Sequence, residues 1–305
     1  MQFSVPFPSI RGWIIATLCG LLLTLVSGCS ALRIGYSTAP DLAYWWFDRY
    51  ADFNGEQTQR VREALAQWFN WHRRTQLPDY AALLARMRAE ATADTTAARV
   101  CEWQVELLRR ADTAYDRAGP AIAEVVLSLT PEQIAHIQKR QAKVNDEFRD
   151  DYLQPDRAKR AAATLKRTVE RAETIYGKLD ADQRERVAAA LTRSPFDPEV
   201  WDAERRARQQ DVVQLIGKLV KEKTPPVQAQ AELRGYVDRI ERSPHEAYRR
   251  YYERLTEFNC GFVANLHNST TAEQRRHAVQ TLAGWEGDLR ALAASNPPAP
   301  AESPN

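Results

Sequence analysis

Four cysteines and five histidines carry most of the chemistry this chain could offer. Cys19 sits inside an apolar run, Cys29 directly follows that run, and Cys101 and Cys260 stand alone much further along. A thiol at the end of an apolar run can be a point of covalent attachment. Two isolated thiols can bridge or stay apart as separate buried groups. The histidines are His72, His136, His245, His267 and His277. None falls in His-Glu-x-x-His and there is no Cys-x-x-Cys, so no zinc site is expected. There is also no Gly-x-Ser-x-Gly elbow, phosphate-binding Gly-Lys-Ser/Thr loop or dinucleotide fingerprint. Carboxylates are plentiful, but no spacing singles out a catalytic pair. The expectation is a protein without catalytic residues, metal or cofactor.

Leu25, Val26, Ser27, Gly28 and Cys29 follow the order branched, branched, small, small, cysteine. This order resembles a bacterial lipobox. The resemblance implies cleavage between Gly28 and Cys29, with residues 1–28 as signal peptide, and acylation of the new N-terminal Cys29. The 14 residues from Trp13 to Val26 support it. As a helix they would extend roughly 21 Å, short of a bilayer core of about 30 Å and suited to a signal peptide. Ser27 and Gly28 could also serve an ordinary signal-peptide cut. In the lipoprotein class an Asp after the cysteine retains the protein in the inner membrane. Ser30 stands there instead, so the outer membrane is the expected location, facing the periplasm. Membrane lipid would be the first partner, since about 0.8 kcal/mol per buried methylene over three acyl chains makes a lasting anchor. Such a compartment is oxidising, which favours a bridge between Cys101 and Cys260; two separate thiols are the alternative.

Removing residues 1–28 takes away Arg11 alone among the charges, leaving 41 basic and 40 acidic side chains, net +1. That balance shows no basic excess of the kind a nucleic-acid binder presents, so no nucleic-acid partner is expected. With only 12 glycines and abundant Ala, Arg, Glu, Gln and Leu, the composition favours helix.

The elements follow from periodicity. Residues 29–39 read as a lipidated tether. Asp41–Tyr50 reads as a short aromatic helix, whose Trp45 and Trp46 either reach the headgroup layer or, the preferred reading, plug the end of a bundle. A helix from Asn54 to about Arg74 carries Val61, Leu65, Trp68, Phe69 and Trp71 on one stripe. Pro78 interrupts it and opens the next, which is expected to stay helical to Ala121 with a break or kink at Gly119-Pro120. The run Trp68-Phe69-Asn70-Trp71-His72-Arg73-Arg74 with Leu77-Pro78-Asp79-Tyr80 is similar to a segment of an uncharacterised family of Gram-negative lipoproteins, a domain of unknown function. The resemblance implies a helical, lipid-anchored envelope protein and brings no catalytic residues. Further helices are expected at 130–153, 155–178 and from Asp180. Others follow at 199–222, 226–242, 245–266 and 271–294. A helical domain thus spans 40–294, with a candidate internal boundary near 194–198 and a disordered tail at 295–305. Between 139 and 173, ten basic and seven acidic residues alternate as a solvated surface would. No alternating strand is found. The fold class is all-α, a multi-helix bundle that could be elongated.

Four helices begin alike, at Asn54, Thr130, Asp180 and Thr271, each with Gln three residues on (Gln57, Gln133, Gln183, Gln274). Each pair is a capping box. An acid follows at the second helical position (Glu56, Glu132, Asp182, Glu273), with Arg60, His136, Arg186 or His277 four residues later in favourable order. Helix initiation alone explains this, while the Arg, His, Arg, His order would also fit a duplication of 54–178 as 180–292. Leu129-Thr130-Pro131-Glu132-Gln133 resembles, weakly, the signature of the periplasmic Spy/CpxP group of helical chaperones. The resulting expectation is a lipid-anchored, non-enzymatic binding or chaperone-like protein with a protein partner or client. An envelope assembly factor, or a cell-wall enzyme with an unrecognised site, are the alternatives.

Overall fold

A computed structural model describes residues 31–295. The expected signal peptide, the expected lipobox (Leu25, Val26, Ser27, Gly28), Cys29 and the tail from residue 296 lie outside the described residues. Every regular element among those residues is helical. In chain order these are α1 (Ala31–Ala51), α2 (Gly55–Trp71), a π-helical turn (His72–Gln76), α3 (Leu77–Glu90), α4 (Ala97–Leu127), α5 (Pro131–Tyr152), α6 (Arg157–Tyr176), α7 (Ala181–Thr192), α8 (Pro198–Lys221), α9 (Pro226–Glu241), α10 (Glu246–Asn268) and α11 (Ala272–Ala294). The fold is all-α.

Three stretches differ from the sequence reading. The tether is helical from Ala31 and continues through Pro40 into the aromatic segment as one helix. Arg33 Nε bonds Asp288 Oδ1 of α11 at 2.8 Å, so α1 is docked from its first turn. Pro78 stands in the first turn of α3, as expected, but the chain before it is not broken, since a π-helical turn joins α2 to α3. Pro78 has no N–H to give a carbonyl four residues back, and the helix widens just before it, with the Leu77 N–H reaching His72 O. The expected break at Gly119-Pro120 is absent, because α4 runs through both residues. At Gly119 α9 comes close: a Cβ there would lie 3.1 Å from Gln230 Nε2. Packing on α9 keeps α4 helical through a residue that would break an isolated helix. The real interruption is at Ala91–Thr96, where the Thr96 side chain caps α4.

All four expected capping boxes form, at Asn54, Thr130, Asp180 and Thr271. Each Gln uses Oε1 to hold its own cap N–H, which leaves Nε2 free to reach across to another helix start. Gln57 Nε2 donates to Gln133 Oε1 (3.1 Å) and Gln133 Nε2 donates back to Gln57 Oε1 (2.7 Å). The second hydrogen of each amide goes to the chain just before the other cap, Ser128 O and Asp52 O, both at 2.8 Å. Gln183 and Gln274 repeat the arrangement at 2.7 and 2.8 Å, with Ser269 O and Lys178 O as the outer acceptors. All four glutamines are buried.

The repetition extends to whole helices. α1 packs on α2 and α5 as α6 packs on α7 and α11. α2 meets α4 as α7 meets α10, and α3 lies on α11 as α8 lies on α5. Helix initiation alone does not require this, so the geometry supports a duplication, but with bounds other than 54–178 and 180–292: α6 is the counterpart of α1, so α1–α5 are echoed within α6–α11. The halves exchange helices, and elements on either side of Ser194–Asp197 pack together, making that stretch a connection within one packed body. A disulfide joins Cys101 of α4 to Cys260 of the equivalent helix α10, with Cα atoms 5.5 Å apart. The larger apolar core gathers Ala51, Ala123, Val126, Leu129, Ile216, Leu219, Ala229 and Leu233. Leu219, wholly buried, contributes about 1.5–3 kcal/mol by leaving water.

Candidate functional site

Two clefts flank α8, the helix that both Gln210 and Gln214 expose to either side. The first, about 260 Å³ between α5 and α8, is lined by Gln138, Gln141, Asn145, Gln209, Gln210 and Gln214. Asn145 and Gln209 exchange amide bonds at 2.8 and 3.0 Å, and Arg205 Nη2 donates to Asn145 Oδ1 at 2.6 Å. The second cleft, about 350 Å³, lies between α8, α9 and the start of α10 and carries Glu204, Arg208, Asp211, Tyr236, Arg239 and His245. Burial pushes the Glu204 carboxyl up, but hydrogen bonds from His245 and Ser243, with Arg208 beside it, more than offset this and hold it below the usual carboxylate range. Burial pushes the Tyr236 phenol up to about 12, and it donates to Arg208 O at 3.2 Å.

Glu204 Oε2 lies 2.9 Å from His245 Nδ1, an acid–imidazole pair on a cleft rim. Charge-relay chemistry would need a nucleophile at the other ring nitrogen. The nearby hydroxyl, Ser243, instead addresses the same carboxylate and takes the His245 backbone N–H at 3.1 Å. That is the geometry of a helix start. Among the described residues, no group of three or more His, Cys, Asp or Glu is placed to hold a metal ion.

His72 marks a second place where chemistry-bearing groups converge. Its ring is stacked between Trp68 (4.6 Å) and Tyr36 (5.8 Å), with Tyr80 edge-on at 5.3 Å. Burial lowers its pKa to about 4, so the ring is neutral at pH 7. Burial, opposed by Arg73, raises the Tyr36 phenol to about 12, and its protonated Oη lies within hydrogen-bond distance of His72 Nδ1, at 2.9 Å. Arg73 lies 5.1 Å from the Tyr36 ring and donates to Leu292 O and Ser295 Oγ. The π turn begins at His72, and such turns often mark functional positions. Here the rings fill the space, and the cluster clamps α1 to α2, α3 and α11. Sequence reading missed it, because Tyr36 was assigned to the tether.

Several expectations are corrected. Ile34, Leu42, Trp45, Trp46 and Phe47 of α1 are exposed, so the aromatic segment is no plug. Leu107, Leu108 and Val263 are half exposed, although Trp103 and Cys260 beside them are buried. The helix faces that carry the two cysteines are thus turned only partly to the core. His136 and His277 bond carbonyls of the facing helix, Arg49 O and Ile175 O, where pairing with Glu132 and Glu273 was expected. Tyr248 and Tyr251 are buried while Arg250 pairs with Glu246 in solvent, as alternating packed rings and solvated guanidinium groups would be. No helix of the described residues is long and apolar enough to cross a membrane.

No curated protein and no solved structure matches the chain. One family of sequences does, over residues 49–249, from the end of α1 into the first turn of α10. By that match, over more than half its length, the chain belongs to the DUF6279 family of unknown function.

Proposed function

We propose that the mature chain is an outer-membrane lipoprotein, acylated at Cys29, whose helical body faces the periplasm and binds a protein partner without catalysing a reaction. The observation that carries the binding role is the pair of polar clefts on α8, joined by Gln210 and Gln214. A carboxamide offers a donor and an acceptor side by side, which is what an extended polypeptide main chain needs along its length. Most of the lining side chains are carboxamides or charged groups, so the client's backbone and charged groups find partners there, while Val213, Ile240 and the carbon stems of the same residues offer apolar surface. An assembly factor of the envelope would use the same surface.

The test is a photo-reactive amino acid placed in cells at Gln141 or Gln210, with Ala189 on α7 as control. Discrete protein adducts at the first two positions, absent at the third, are expected. Adducts equal at all three positions, or at none, would overturn the assignment of the clefts.

A further inference from the structure

We infer that the outward face of α1 is a membrane-contacting surface that lies in the lipid headgroup layer. Ile34, Thr38, Leu42, Trp45, Trp46 and Arg49 fall on one arc of about 120° at a helical period of about 100° per residue. Ile34, Leu42, Trp45 and Trp46 are 55, 57, 54 and 52% exposed, a concentration of apolar surface that a folded body ordinarily covers. The polar groups on and beside this arc are satisfied within the protein. Ser37 and Thr38 turn their hydroxyls back to Arg33 O and Ile34 O, and Asp41 is paired with Arg62. Arg49 lies 4.6 Å over the Trp45 ring at the far end. Indoles with a basic residue beside them suit the boundary between headgroups and acyl chains, where Trp is enriched and an amphipathic helix lies flat.

The occupant is lipid because of where the chain outside the described residues ends. Cys29 stands two residues before Ala31, so acyl chains on it put the first turn of α1 within roughly 7 Å of the membrane. The stripe from Ile34 to Arg49 then runs roughly 22 Å along the bilayer surface. The opposite side of α1 packs on α2, α5 and α11, which leaves this arc facing outward. The inference rests on the acylation of Cys29 proposed above.

The test uses the mature acylated protein in vesicles of phosphatidylethanolamine and phosphatidylglycerol, carrying Leu42→Cys, Trp46→Cys or, as control, Ala189→Cys. Cys101 and Cys260 are bridged and Cys29 is acylated, so a nitroxide reaches the new thiol alone. Labels at 42 and 46 are expected to lose most collisions with a water-soluble nickel chelate and to gain collisions with oxygen, while the label at 189 stays in water. Vesicle-bound protein with all three labels equally open to the chelate overturns the inference and leaves the anchor standing. Protein that fails to float with the vesicles overturns both. Spin–spin broadening between labels at 46 would assign the face to a second copy of the chain, against lipid.

Discussion

Truncating one member of a glutamine pair, Gln133→Ala, tests the account of how the halves are built. Gln133 makes four side-chain bonds: Oε1 accepts from Thr130 N–H and Gln57 Nε2, and Nε2 donates to Asp52 O and Gln57 Oε1. Alanine leaves the Thr130 N–H and the Asp52 carbonyl without the partner Gln133 gave them. Gln57 keeps one partner on each amide atom, Asn54 N–H and Ser128 O. A buried polar group without a partner costs about 1–3 kcal/mol. The substitution should therefore cost about 2–6 kcal/mol, nearer the lower figure if water enters the gap. Gln274→Ala removes the equivalent set, Thr271 N–H and Lys178 O, and should cost a similar amount. Because Gln57 and Gln133 share bonds, the double variant with Gln57→Ala should cost less than the sum of the two. Equilibrium urea unfolding with the disulfide intact measures all of these. A loss below about 0.5 kcal/mol for Gln133→Ala, the range of an ordinary surface change, would refute the reasoning, as would strict additivity in the double variant.

Three further outcomes are expected. The Cys101–Cys260 bridge closes a separation of 159 residues, so replacing both cysteines with serine should lower stability by up to about 5 kcal/mol in the chain-entropy model, read as the shift in urea midpoint; no shift would mean that the two helices are held together equally well without it. Cys29→Ala should leave an uncleaved precursor that takes up no radiolabelled palmitate, and continued uptake would remove the anchor. The His72 pKa is depressed to about 4 in the folded chain, against about 6.5 when unfolded, so its neutral, stacked form favours folding above pH 6.5. That contribution should fade as pH falls from 6.5 through 4. Urea midpoints measured across this window should depend on pH less steeply in His72→Gln than in the parent, and parallel profiles would refute it.

How much of this was legible follows from the range over which each signal acts. Helix starts were readable because a cap and its Gln lie three residues apart. Asn54, Thr130, Asp180 and Thr271 begin helices where their local chemistry says they should. The use of the same glutamines to join helix starts 76 and 91 residues apart was not readable, because capping occupies only Oε1 and the sequence is silent on where Nε2 points. Proline misled in two places for one reason. Pro78 and Pro120 were weighed as local breakers, but a π turn absorbs the first and tight packing on α9 overrides the second. The acids four residues before His136 and His277 were the nearest partners along the chain, yet carbonyls at the end of a facing helix lie within reach of the ring nitrogens. The clefts on α8 had no local signature at all, since their glutamines come from α5 and α8 with some 64 residues of chain between Asn145 and Gln209.

The helical start of the chain changes what an anchor at Cys29 would do. A flexible tether would let the body swing freely about its lipid. Instead the helix begins two residues after the cysteine, and its first turns are pinned to both halves of the repeat. Arg33 bonds Asp288 of α11 and Tyr36 bonds His72 at the end of α2. Further along, Tyr44 Oη lies 3.0 Å from Thr58 Oγ1 of α2 and Ala51 enters the main core. Reorienting α1 therefore means breaking a buried aromatic stack, a buried imidazole bond and apolar core contacts together. An acylated N-terminus on such a helix would transmit the plane of the membrane to the whole body. The α8 clefts would then be presented at a set height and angle. In that arrangement, inserting a short glycine-serine segment between Ser30 and Ala31 would leave acylation and folding intact. It would still uncouple the orientation of the clefts from the bilayer.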